Sequence, residues 1–146
     1  MERALQAKQN FLNGLNCAQA VLLAFADKLS ADEQTLKAVG LPMGAGMGRL
    51  RLTCGAVSGA AMTLGLLYPD KSKAEMYALV QEFVKRFKEK NGSVICGELL
   101  TGAHVKADTS PNPEERTPEY YKKRPCPDLI YDAALVLEEM TEEIQA

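Results

Sequence analysis

Apolar residues recur along this chain at intervals of three and four almost from end to end, and nowhere in the sustained alternation of a half-buried strand. That pattern predicts an all-α protein. A first helix, about Glu2 to Leu12, sets Ala4, Ala7 and Phe11 on one side, and Asn13-Gly14 supplies the left-handed stop that helix ends favour. Asn16 caps a second helix, Cys17 to about Lys28, whose Val21, Leu22, Leu23 and Phe25 make it apolar nearly all round and therefore central. Ser30 and Glu33 have capping-box spacing for a third helix, closed by Gly40 and Pro42. A core helix follows from Cys54 to about Leu67. The uncharged run around it, Leu52 to Pro69, has the length of a membrane span, but Thr53, Ser58, Thr63, Pro69 and three glycines favour a buried helix.

Ser72 and Glu75 repeat the capping-box spacing ahead of the longest helix, in which Met76, Leu79, Val80, Phe83 and Phe87 form the buried stripe. Lys85, Arg86, Lys88 and Lys90 lie at its solvated end, and Asn91-Gly92 stops it. Ser93 is placed as the cap of a brief helix carrying Cys96, Leu99 and Leu100. The last helix begins after Pro125-Cys126-Pro127 and buries Ile130, Ala133, Ala134, Leu137 and Ile144. The expectation is a compact single-domain bundle of about six to seven helices over residues 1–146, a length that suits one domain. Two loops stand out. Residues 40–48 are rich in glycine, and the proline-interrupted segment from Gly102 to Pro125, with one turn near Glu119 to Tyr121, reads as a lid or wrap anchored by Tyr120 and Tyr121.

Composition narrows the function. With 47% hydrophobic and 25% charged residues the chain is an ordinary globular protein, and a net charge of −2 gives no field to recruit nucleic acid or anionic lipid. The N-terminus lacks the apolar run of a secretory signal, so the expected address is cytoplasmic, with no membrane insertion. Four cysteines, Cys17, Cys54, Cys96 and Cys126, stand against one histidine, His104, which excludes any constellation needing two histidines. In a reducing compartment four thiols point to a metal, cluster or redox site rather than a disulfide framework. His104 reads as solvent-facing, and Glu138, Glu139, Glu142 and Glu143 as a solvated face.

Each cysteine falls at or within the first turn of an expected helix, where unpaired amides and the helix dipole favour a thiolate. Arg49, Arg51 and Arg124 are close in sequence to two of them and act in the same direction if they point inward. Gly55, Ala56 and Gly59 leave a face almost without side chains beside Cys54. They are the cofactor-side candidates, with close helix contact the favoured reading for Gly59 and room for a bulky cofactor the alternative to such contact at Gly55. Gly44, Gly46 and Gly48 match no nucleotide loop and are read as a source of backbone amides near an anionic centre.

Asn16-Cys17-Ala18-Gln19-Ala20-Val21, the block Cys54-Gly55-Ala56-Val57-Ser58-Gly59-Ala60, then Gly92-Ser93-Val94-Ile95-Cys96-Gly97-Glu98-Leu99-Leu100 and a final Cys126 resemble the C_GCAxxG_C_C family, named for its cysteine pattern. The resemblance covers nearly the whole chain. It implies a redox-active protein with these four cysteines as its functional residues, and supplies no substrate.

Three functions follow. In the first, the four cysteines converge as metal ligands for an iron-sulfur cluster, or zinc, in electron transfer or sensing with a redox partner protein. Their wide separation and the absence of a Cys-x-x-Cys pair weigh against zinc. In the second, cysteine pairs cycle between thiol and disulfide, with a low-pKa Cys54 attacking, as in an oxidoreductase. In the third no cofactor is bound and the cysteines only pack inside a helical interaction protein, with a homo-oligomer allowed.

Overall fold

The computed structural model describes residues 2–145, and eight α-helices and no strand build the architecture among them. They are α1 (Glu2–Leu12), α2 (Cys17–Ala24), α3 (Glu33–Gly40), α4 (Gly55–Leu67), α5 (Lys73–Asn91), α6 (Cys96–Gly102), α7 (Pro118–Lys123) and α8 (Cys126–Gln145). The most apolar helix takes the centre. Ala18, Ala20, Val21 and Leu22 of α2 are wholly buried among α1, α3, α4 and α8. Burying such side chains contributes roughly 25 cal/mol for each Å² of apolar surface removed from water.

Helix α2 is shorter than the run of apolar residues predicts. Arg3 of α1 explains the early end: its guanidinium donates to the Ala24 carbonyl at 2.8 Å, grips the Asp27 carboxylate at 2.6 Å and lies over the Phe25 ring at 5.1 Å. With its final carbonyl so engaged, the chain tightens into a 3₁₀ turn over Ala26–Lys28. The Arg3 hydrogen bond and charge lower the Asp27 carboxyl from 3.8 to about 2. A carboxyl depressed in the folded state contributes stability above its unfolded pKa and loses it as pH falls through the folded value. The expected result is an Asp27 titration midpoint near 2 by carboxyl NMR, returning to about 3.8 in Arg3→Ala. An unchanged midpoint in that variant would refute the pairing.

Capping accounts for most other boundaries. Asn16 and Gln19 form a capping box on α2, as do Ser72 and Glu75 on α5, and Gly92 ends α5 with φ of 87°. Helix α3 is capped by Asp32, whose carboxylate accepts from the Thr35 amide at 2.7 Å, so the expected Ser30–Glu33 box does not form. Asp32 lies next to the first turn and carries a full negative charge toward the helix dipole, which favours it over the more distant hydroxyl. Ser93 does not cap α6 directly. Its hydroxyl accepts from the Ile95 amide and donates to Glu98, while Ile95 holds the cap position.

The uncharged run Leu52 to Pro69 becomes α4, and no helix among the described residues is long and apolar enough to cross a membrane. Thr63 is fully buried there with its hydroxyl donating to the Gly59 carbonyl at 2.8 Å. On α5 only Phe83 and Phe87 are buried, while Met76, Leu79 and Val80 pack half-covered at the edge of the core. Arg86 ties that helix to Glu143 of α8, and Glu138 of α8 accepts from the Ala4 amide at the open start of α1. Both carboxylates were expected on a solvated face. Glu143, like Glu139 and Glu142, is exposed as expected, Glu138 is half-buried, and Ile144 is over a third exposed rather than buried.

Candidate functional site

Local structure carries the four cysteines to one place. The Asn16–Gln19 box fixes the start of α2 and so the first residue, Cys17, while the Asn16 side-chain amide donates to the Leu41 carbonyl at 3.0 Å and ties that start to the end of α3. Cys54 is the cap residue of α4. A short antiparallel pairing joins it to Cys96: the Cys54 amide donates to Val94 at 2.7 Å, the Cys96 amide to Leu52 at 2.6 Å, and Thr53 faces Ile95 in an isolated bridge. Cys126 is the first residue of α8. All four side chains line one cavity of ≈ 550 Å³.

Residues 44–52 form the wall over Cys17 and Cys96. Ala45, Gly46, Met47, Gly48 and Arg49 follow one another with φ of 54°, 74°, 69°, 59° and 67°, and Arg51 has φ of 62°. This is a turn of left-handed chain. Each non-glycine residue held there costs about 1–2 kcal/mol, a strain that persists only where the surroundings enforce it. The enforcement is visible at Gly46, where a Cβ would lie 2.7 Å from the Cys96 Cβ and 2.6 Å from the Arg51 Cα. The Ala45 amide on this turn acts on the Cys17 thiol in the lowering direction. Met47 is half-exposed, so its side chain contributes little burial. Met47→Gly is expected to raise stability to urea unfolding by about 0.5–1 kcal/mol, since relief of backbone strain exceeds the added unfolded-state entropy. A loss of stability would contradict the strain.

The segment from 103 to 117 is the outer wall. It is bound across the turn by Arg49 Nε donating to the Ser110 carbonyl at 2.5 Å and Arg51 Nε donating to that of Asp108 at 2.9 Å. Arg116 donates to the Phe11 and Leu15 carbonyls and lies 4.3 Å over the Phe11 ring. Arg124 pairs with Glu114 and stacks 4.6 Å over Tyr120, which meets Tyr121 edge-on, and Tyr121 meets Phe11 in the same way. The two tyrosines thus anchor the wrap. His104 is exposed, with φ of 60°, and does not line the cavity.

Electrostatics correct one expectation. Burial pushes the Cys17 thiol up, pushes Cys54 well up, and raises Cys126 from 9.0 to about 12. The thiolate-favouring amides and arginines are there: the Ala56 amide acts on Cys54, and Arg124 and Arg51 act on Cys126, each in the lowering direction. Desolvation and the other thiols outweigh them. Cys17, Cys96 and Cys126 each raise Cys54, Cys96 raises Cys17, and Cys17 and Cys96 raise Cys126, so every pair among the four interacts. All four are free thiols. At Cys54 burial is the larger effect, and the expected low pKa there is overturned. Among the described residues no three Cys, His, Asp or Glu side chains are close enough together to hold a single metal ion.

Gly55 faces the cavity with Cys17 against it, whereas Gly59 packs on the backbone of Ala18 and fully buried Ala56 lies in the core. Neither Ala56 nor Gly59 lines the cavity. Arg116 and Glu114 were not candidates on sequence, and nothing in their local pattern singles them out from a polar loop.

The family described as "Putative redox-active protein (C_GCAxxG_C_C)" matches residues 15–140, well over half of the chain and inclusive of all four cysteines. The chain belongs to the C_GCAxxG_C_C family. No curated protein and no solved structure matches it. The redox description attaches to the family as a whole. In this C_GCAxxG_C_C protein, the four cysteines share the cavity.

Proposed function

We propose that the protein is a redox carrier in which Cys17, Cys54, Cys96 and Cys126 together hold an iron-sulfur cluster. One observation carries the reading: four free thiols, drawn from the starts of four helices, line a single cavity. Their chemistry suits iron, because a cation stabilises thiolates at positions such as Cys17, Cys54 and Cys126, where burial otherwise pushes the thiol pKa up. Their wide separation in sequence, with no Cys-x-x-Cys pair, weighs against zinc. A tetrahedral zinc ion draws its sulfurs to about 2.3 Å from one point, and no three of the described donor side chains converge in that way. A bound cluster would supply one-electron exchange with a partner protein. The protein's own part is to exclude water with the 103–117 wrap and to present the Ala45 and Ala56 amides to sulfur.

The test is anaerobic reconstitution with ferrous iron and sulfide, followed by bound-iron and sulfide analysis and visible absorption. Wild-type protein is expected to acquire both, and each single Cys→Ser variant to lose most of the bound iron while remaining folded by circular dichroism. Wild-type protein that takes up no iron and shows no visible absorption would overturn the reading.

A further inference from the structure

The cavity also holds positive charge that the protein's own groups leave partly unmatched. Arg51 lines it and is 7% exposed. Its Nε donates to the Asp108 carbonyl at 2.9 Å and its Nη1 to the Cys96 sulfur at 3.8 Å, while Nη2 is buried with no hydrogen-bond partner among the described residues. Arg49, on the same wall, repeats the pattern. Its Nε is taken by the Ser110 carbonyl, and Nη2 lies 3.6 Å from the Asp108 carboxylate but makes no hydrogen bond. The two other guanidiniums at the cavity differ. Arg116 is committed to the Phe11 and Leu15 carbonyls and Arg124 to Glu114.

A buried guanidinium with an open donor is costly, and proteins normally match such charge with an anion and full hydrogen bonding. Here one such group, Arg51, is carried with partly buried Arg49 on a turn of left-handed chain that is itself strained. Guanidinium N–H groups match the oxygens of carboxylate, phosphate and sulfate better than a point charge does. The remaining wall is apolar, with Leu99, Leu100, Leu129 and Ile130 lining the same cavity, and ≈ 550 Å³ is within the range that encloses a small organic molecule.

We propose that the cavity binds a small organic oxyanion, its head group on Arg51 and Arg49 beside Cys96 and its apolar body against Leu99 and Leu129. This goes beyond electron transfer and does not rest on it, since the arginines and the apolar wall are present without any cluster.

The test uses metal-free, reduced protein in low chloride, titrated with benzoate, phenyl phosphate and inorganic sulfate, with binding read by calorimetry and by thermal shift. Benzoate or phenyl phosphate is expected to bind saturably and more tightly than sulfate, and the tighter of the two identifies the head group. Arg51→Gln and Arg49→Gln are each expected to weaken that binding by about tenfold or more. Should Arg51→Gln fail to fold, Arg49→Gln carries the same comparison. No saturable binding, sulfate equal to the organic anions, or unchanged affinity in the Gln variants would each overturn the proposal. Because no iron is present, failure of cluster reconstitution leaves this result standing, and the reverse also holds.

Discussion

Gly55→Ala is expected to remove Cys17 from the four-thiol set while leaving the fold close to its original stability. An alanine Cβ at this position would stand 2.2 Å from the Cys17 sulfur, a separation no two such atoms tolerate, while the next contacts are the Met43 carbonyl at 3.0 Å and the Ala18 amide at 3.3 Å. The atom in the way ends a short side chain with one free torsion. The thiol can rotate off, so the cost falls on the site and not on the backbone. Gly55 lies in the first turn of α4, where alanine favours the helix over glycine by up to about 1 kcal/mol, offsetting the tight contacts with Met43 and Ala18. Urea unfolding of the metal-free protein should therefore change by less than about 1 kcal/mol. Iron retained after reconstitution should fall to the level of Cys17→Ser, and alkylation of Cys17 in the metal-free protein should become faster as its sulfur leaves the buried position. Wild-type iron content together with wild-type alkylation would mean that Gly55 does not set the thiol.

Gly55 is legible in the sequence only in part. Gly55 follows Cys54 directly, and a missing side chain beside a thiol is legible as room left for something. That the something is Cys17, from a helix start far away in sequence, depends on α2 crossing α4 and cannot be seen locally. Where a boundary is written in neighbouring residues, as in the Asn16–Gln19 and Ser72–Glu75 boxes or the left-handed Gly92, it is legible because the physics is local. The turn through Ala45, Met47, Arg49 and Arg51 is the opposite case. These side chains disfavour positive φ, and they adopt it because Gly46 is trapped against Cys96 and because Arg49 and Arg51 are drawn to the Ser110 and Asp108 carbonyls. The thiol ionisation follows the same division. Helix-start amides are a local feature and favour thiolates, but burial is a property of the whole fold, and at Cys54 burial is the larger effect.

Four residues further along α4, Gly59→Ala is expected to destabilise the whole protein, because the obstacle there is backbone. Its Cβ would lie 2.7 Å from the Ala18 carbonyl oxygen and 3.0 Å from the Ala18 Cα. Neither atom can rotate away. The α2–α4 crossing would have to open, and both faces are fully packed at that level, with Ala18 on one side and Ala56 and Ala60 on the other completely buried. Small separations at such a contact forfeit a large part of its dispersion energy, and overpacking of this kind costs about 1–3 kcal/mol. Helix propensity returns up to about 1 kcal/mol of that loss, so a net destabilisation of roughly 1–2 kcal/mol is expected in urea unfolding. Gly65 on the same helix provides the control: nothing lies within 4 Å of its Cβ, and it is exposed. Gly65→Ala should therefore stabilise by roughly 0.5–1 kcal/mol through propensity alone. If Gly59→Ala proves as stable as Gly65→Ala, the close crossing of α2 and α4 is not what holds Cys17 and Cys54 at one cavity.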